Sequence, residues 1–181
     1  MVSEKHLRGN LTTKRLLLRP FQPEDVSDIF AMGGFPTWDQ KGPKPFTRRH
    51  AEEYIAREIL RSWDTEPAFA IIFDSRVIGI IRLVINREDT TAELGYSLDK
   101  PYWGQGIMLE AAHKLLFWAF EEYNLVKISA SADIANKRSL KVMKTLGMKK
   151  EAVLRKEKVI RGVRTDLVWY GILAEEWTTH S

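Results

Sequence analysis

Two glycines separated by one residue, Gly104 and Gly106, stand where a strand-like segment gives way to a helix-like one. That junction is the part of the chain best equipped for chemistry. The first amides of a helix have no partner inside it, and glycine lets a backbone approach a ligand closely, so consecutive N–H groups can converge on a phosphate. Trp103, Gly104, Gln105, Gly106, Ile107 and Met108 are the residues that would present them. Each charge-assisted bond contributes about 1.5–3 kcal/mol, so several would hold a pyrophosphate without help from side chains. The loop lacks the Gly-Lys-Ser/Thr ending of a P-loop, and neither a third glycine nor a downstream acid completes a dinucleotide fingerprint. A tight turn carrying no ligand uses the same residues, so the loop alone leaves that reading open.

The elements that must position this junction follow from periodicity. A short apolar run at 15–19, closed by Pro20, reads as a first strand; a helix starts at Pro23 and carries Val26, Ile29 and Phe30 on one face. Gly33, Gly34 and Pro36 stop it, and Thr47 caps a second helix running to about Trp63. Strands are expected at 68–73, 77–85 and 91–98, as an antiparallel meander. After the glycine loop, Ile107, Met108, Ala111, Leu115, Ala119 and Phe120 mark a helix to about Glu122. A strand at 126–131, a helix at 136–146 ended by Gly147, and strands at 148–158 and 165–173 around Arg161-Gly162 complete the chain. The expected fold is a single α/β (α+β) domain over 1–181, a mixed and mostly antiparallel sheet of about seven strands flanked by four helices.

Composition narrows the function classes. The 181 residues suit one domain, and 44% apolar with 29% charged residues is the balance of a folding chain. There is no cysteine, hence no disulfide, thiolate metal site or cysteine nucleophile, which fits a reducing compartment; cytoplasm is the expected location. No apolar stretch reaches membrane-spanning length, and the first ten residues lack a signal-peptide core. His6, His50, His113 and His180 are scattered without a ligand pattern, so no metal is expected. The net charge of +4 favours phosphates without choosing between a nucleotide cofactor and nucleic acid. The basic stretch Lys149, Lys150, Arg155, Lys156, Lys158, Arg161 and Arg164 reads as a solvated face, with docking of ribosomal RNA or an acidic protein as the alternative.

The segment Glu93-Leu-Gly-Tyr-Ser-Leu98, the loop Trp103-Gly-Gln-Gly-Ile-Met-Leu-Glu-Ala111 and Asn136-Lys-Arg-Ser139 ahead of Leu146-Gly147 together resemble the GNAT superfamily of N-acetyltransferases, within it the RimJ/RimL group that acetylates ribosomal-protein N-termini. The likeness runs from Arg15 to about Trp177. Trp103 and Met108 depart from the superfamily's usual loop side chains, but the loop's task falls mainly to backbone amides.

The resemblance implies acetyl-CoA as co-substrate and direct attack of an amine on the thioester through a tetrahedral intermediate, with no acyl-enzyme. It implies a pantetheine arm lying as an added strand beside Tyr96, Ser97 and Leu98, with Asn136 on a pantetheine amide and Ser139 near the sulfur, protonating the leaving thiolate. Read without it, Asn136 is an N-cap and Ser139 a surface serine. Glu93 is the candidate general base, provided its strand position lies in a desolvated cleft; alternation equally allows it to point outward. Glu157 is a second candidate because related enzymes place an acid in that region. Tyr96 and Tyr102 are possible acids or cleft walls. Trp38, Phe46, Tyr54 and Trp63 belong to the part expected over the acceptor end, as core or as substrate contacts. The implied acceptor is a primary amine, foremost a protein's N-terminal α-amine, with a polyamine or antibiotic as the alternative and a non-catalytic acyl-CoA or RNA-binding module behind both. The edge made by the last strand offers a surface for a homodimer.

Overall fold

The computed structural model describes residues 9–33, 46–160 and 162–177. His6, His180, Arg161 and residues 34–45, Trp38 among them, lie outside them. Eight strands form one sheet: β1 (Leu11–Thr12), β2 (Leu17–Arg19), β3 (Ala68–Phe73), β4 (Arg76–Asn86), β5 (Thr91–Leu98), β6 (Lys127–Asp133), β7 (Lys149–Ile160) and β8 (Val163–Leu173). Their order is β1-β2-β3-β4-β5-β6-β8-β7, antiparallel everywhere except between β5 and β6. The helices are α1 (Val26–Ala31), α2 (Arg48–Leu60), α3 (Ile107–Tyr123), α4 (Lys137–Thr145) and α5 (Ala174–Trp177).

Alternation along the strands builds a core on each face. Phe69 and Ile71 of β3 join Ile81 and Leu83 of β4 beneath the buried stripe of α3, from Ile107 to Tyr123, with Met143 of α4 and Trp177 of α5. Ala70, Ile72 and Ile80 face the other way, against Val26, Ile29, Ala51 and Ile55 of α1 and α2. The sheet therefore separates α1 and α2 from α3, α4 and α5.

Three elements differ from expectation. The extra strand is β1, two residues long, which periodicity cannot register. α2 stops at Leu60 because Arg61 turns extended, with ψ 142°. That turn drops Trp63 into the α3-side core, edge-on to Phe69 at 4.8 Å. Tertiary packing overrides the helical pattern there, and Trp63 is no part of the α1–α2 face. The third is α5, a single turn that seats Trp177 against Phe120. At the far edge β7 pairs with β8 alone among the described strands, and it is bulged and studded with charge, features that resist edge-to-edge pairing.

Candidate active site

The one parallel pairing opens a wedge. β5 and β6 are in register from Thr91 opposite Lys127 to Leu94 opposite Ala130. Beyond that point β5 runs on beside β4 as far as Leu98, while β6 runs on beside β8 as far as Asp133. Gly79 permits the close approach of β4 to the end of β5, since a Cβ there would lie 2.6 Å from the Ser97 carbonyl oxygen.

The phase of the β4–β5 ladder decides which groups face the wedge. The Asp99 amide donates to Ile78 O at 2.9 Å, so the odd-numbered residues of β5 direct their backbone groups to β4 and the even-numbered ones direct theirs to the wedge. Tyr96 and Leu98 thus offer backbone groups there, and Ser97 does not. Ser97 is a correction to the expected set: its backbone serves β4, and its hydroxyl is buried on the α1–α2 face without a hydrogen-bond partner. The indole N–H of Trp103 donates to Leu98 O at 2.7 Å, tying the loop to the strand end.

At the wedge mouth the glycine loop is built as its sequence requires. Asp99 caps a 3-10 turn at Lys100–Tyr102, and the Gln105 side chain donates to Pro101 O. Gly104 and Gly106 have φ of +76° and +75°, the left-handed region that glycine enters without penalty. The first helical bond of α3 runs from the Glu110 amide to Gly106 O, so the amides of Ile107, Met108 and Leu109 have no partner within the helix. A Cβ on Gly104 would meet nothing within 4 Å, and one on Gly106 only Arg15 Nη2 at 3.7 Å. This is room for an anion. The Ile107 and Met108 side chains are buried in the core, so these two residues can contribute only backbone.

The loop is braced by residues that sequence reasoning missed. Glu110 accepts from the Thr13 hydroxyl at 2.6 Å, from the Arg15 amide at 2.9 Å and from Arg15 Nε at 2.7 Å, while Arg15 Nη1 reaches Gln105 O at 3.1 Å. Burial acts to raise the Glu110 pKa, but the bonds from Thr13 and Arg15 outweigh it and hold the carboxyl below its ordinary value. Arg15 thereby neutralises an acid in the first turn of the helix that would otherwise repel a phosphate. An acid at that place hints that a cation is needed, but nothing local says that it comes from 95 residues earlier.

On the α3–α4 side the wedge is walled by Tyr96 and Ser139. The Ser139 hydroxyl donates to the Tyr96 phenol oxygen at 2.9 Å, and the Tyr96 O–H donates to Ser139 O at 3.2 Å. Burial pushes the Tyr96 phenol up to about 12, against the opposing pull of the Ser139 bond, so it stays protonated at neutral pH. Asn136 caps α4, its side-chain oxygen accepting from the Ser139 amide at 3.2 Å. Capping fixes the residue at the wedge and leaves its NH2 group to offer a carbonyl.

Glu93 lies on the opposite face from Tyr96. It is exposed, at the wedge's closed end, and accepts from Ser131 Oγ at 3.3 Å. The desolvated environment expected for it is not present; solvent and a serine surround it instead. Glu157 sits in the bulged part of β7, with β8 between it and β6. Tyr102 packs edge-on to Phe73 at 6.0 Å, as a wall. Of the aromatics expected over the acceptor end, Tyr54 and Phe46 do pack on the α1–α2 face, where Tyr54 meets Phe21 edge-on. Among the described residues no three His, Cys, Asp or Glu side chains are gathered to hold a metal, and no helix is long and apolar enough to cross a membrane.

Residues 15–149 match the acetyltransferase (GNAT) domain family. A Bacillus subtilis protein named as a candidate N-acetyltransferase, YjcK, is 39% identical over 170 residues, covering 86% of this chain and 92% of its own. A second B. subtilis protein, YdaF, named as a candidate ribosomal N-acetyltransferase, is 32% identical over 108 residues, and that match spans 59% of each chain. Among solved structures, a ribosomal-protein-S5-alanine acetyltransferase from Vibrio fischeri superposes with a TM-score of 0.80 at 23% identity, over 93% of this chain and 98% of its own, a likeness of fold.

Proposed function

Because the chain belongs to the GNAT acetyltransferase family, we propose that it moves the acetyl group of acetyl-CoA to a primary amine, the acceptor being the N-terminal α-amine of a protein. The observation that carries this reading is the wedge between β5 and β6, with a helix N-terminus at its mouth and a hydrogen-bonded Tyr96–Ser139 pair along its wall. The open space over Gly104 and Gly106 fits the pyrophosphate, and the edge of β5 at Tyr96 and Leu98 fits the amides of a pantetheine arm. Bound there, acetyl-CoA supplies an activated thioester.

The residues divide the work by face. Backbone groups of Tyr96 and Leu98 and the NH2 of Asn136 orient the arm in the wedge. The Ser139 hydroxyl, turned from the Tyr96 oxygen to the departing sulfur, hydrogen-bonds it and helps protonate the thiolate, while the Tyr96 O–H, which burial keeps protonated, stays on Ser139 O and holds the serine in place. Glu93, with Ser131 beside it, takes the proton released by the amine on the other face, directly or through water. Thus acid and base act from opposite sides of the sheet.

An α-amine suits this arrangement. Its pKa of about 7.7–8.0 leaves it appreciably neutral near pH 7, whereas a lysine-like amine near 10.4 needs roughly 3.5 kcal/mol more to deprotonate. A solvated glutamate is a sufficient base for the first and a poor one for the second. The name of YdaF and the fold shared with the S5-alanine enzyme support the same acceptor class, and a cytoplasmic reaction is part of this reading. The test is turnover on peptides with free α-amines, the same peptides with blocked N-termini and an internal lysine, and polyamines, using wild type, Ser139→Ala and Glu93→Gln. Free α-amines are expected to be the substrates, with Ser139→Ala lowering kcat while leaving acetyl-CoA binding intact. Turnover confined to polyamines would overturn the acceptor assignment.

A further inference from the structure

The glycine loop has a second guanidinium beside it that the reading above does not use. Arg138 is exposed near the start of α4, and its Cζ lies 4.2 Å from the centroid of the Trp103 ring. Trp103 is itself fixed by its bond to Leu98 O and immediately precedes Gly104. The stack therefore carries a positive charge from the helix on one side of the wedge to the loop on the other. It differs in kind from the other arginine at the loop. Arg15 is committed to Glu110 at 2.7 Å, whereas Arg138 has no carboxylate within salt-bridge distance among the described residues, and α4 contains no acid. A guanidinium resting on an aromatic face is oriented yet gives up none of its hydrogen-bonding edge, which remains available for an oxyanion.

We infer that Arg138, held over Trp103, is the side-chain clasp for the anionic nucleotide end of CoA, and that it sets the protein's preference for CoA over the bare pantetheine thiol. This rests on the reading that CoA occupies the wedge. The backbone amides of the loop recognise the shape of a phosphate, and Arg138 adds a side-chain charge to it from α4. Phosphate oxygens at the pyrophosphate or at the ribose 3′ position present the same chemistry, and the ligand series below tells them apart.

The test is calorimetric binding of CoA, dephospho-CoA and pantetheine, with no acceptor present, to wild type, Arg138→Gln, Arg138→Lys and Lys141→Gln, each checked for an unchanged melting temperature. Lys141 lies one turn along α4 and controls for diffuse charge. Arg138→Gln is expected to weaken CoA by about tenfold or more, as for one lost charge-assisted bond, to leave pantetheine unchanged, and to flatten the salt dependence of CoA binding. Arg138→Lys is expected to fall between, and Lys141→Gln to match wild type. An equal loss for CoA and dephospho-CoA assigns the clasp to the pyrophosphate; a loss for CoA alone assigns it to the 3′-phosphate. Equal losses for CoA and pantetheine, no loss for either, or the same loss in Lys141→Gln would each overturn the inference. Failure of wild type to bind CoA at all would instead remove the transferase reading beneath it.

Discussion

Gly106→Ala separates two jobs that one residue performs. With φ at +75°, an alanine there sits in the left-handed region at a cost of about 1–2 kcal/mol. Its methyl would meet only Arg15 Nη2, at 3.7 Å, so strain is not compounded by a clash. For a chain of this length each kcal/mol lowers Tm by about 2–4 °C, so the variant stays folded. The same methyl occupies the space over the α3 amides where the phosphate is placed. Loss of one charge-assisted bond, about 1.5–3 kcal/mol, weakens CoA by about tenfold to a hundredfold. Gly162→Ala is a matched control: φ is +80°, nothing lies within 4 Å of its Cβ, and it stands at the β7–β8 hairpin tip. Both variants should melt earlier by similar amounts, and only Gly106→Ala should lose affinity for CoA in a calorimetric titration. Equal affinities in the two variants, or equal losses, would refute the assignment of the loop.

Gly79→Ala would place a Cβ 2.6 Å from Ser97 O and 3.0 Å from Leu98 Cδ1, so backbone must move; a stability loss of about 1–3 kcal/mol and weaker CoA binding are expected, and a neutral variant would show that the end of β5 is not held by this contact. Asp25→Ala removes the buried acceptor of Arg19 Nη1, Arg19 Nη2 and the Gln22 amide, leaving the Arg19 guanidinium without its carboxylate and with only Pro20 O; chemical denaturation should report a loss of about 3–5 kcal/mol, and a loss under about 1 kcal/mol would mean that water replaces the carboxylate freely. Tyr96 binds its proton more tightly folded than unfolded, so its contribution is intact below about pH 10 and is lost as pH rises toward 12, by up to about 3 kcal/mol. Wild type should therefore lose stability more steeply than Tyr96→Phe across that window, and parallel curves would contradict the burial of the phenol. For Glu110 the sign is reversed: its lowered pKa gives stability that is present above the ordinary carboxylate range and disappears as pH falls through the folded value, so Glu110→Gln should show a shallower acid dependence than wild type.

The elements around the site were legible because their signals are local. The limits of β5 coincide with the expected 91–98 run, and the two glycines, followed by the apolar stripe of α3, locate the loop and its helix. Asn136 and Ser139 fall together because residues three apart at a helix start share a side. What stayed hidden depends on partners distant in sequence. Alternation says that Glu93 and Tyr96 lie on opposite faces of β5, but not which face is solvated; that follows from α1 and α2 leaving the Glu93 end of the sheet open. The role of Ser97 turns on ladder phase, set by the single bond from Asp99 to Ile78. The Thr13–Arg15–Glu110 bracket and the Arg138–Trp103 stack join segments that only the folded sheet brings together.

The proposed transfer runs from acetyl-CoA to a free α-amine across the β5–β6 wedge. Its most direct test is thiol release from acetyl-CoA by purified wild-type protein with a free-N-terminus peptide, followed by mass-spectrometric location of the acetyl group. Release that requires the peptide, with the acetyl group on its N-terminal nitrogen, is the predicted result. Thiol release that proceeds equally without an amine, or CoA binding with no transfer to any amine, would contradict it.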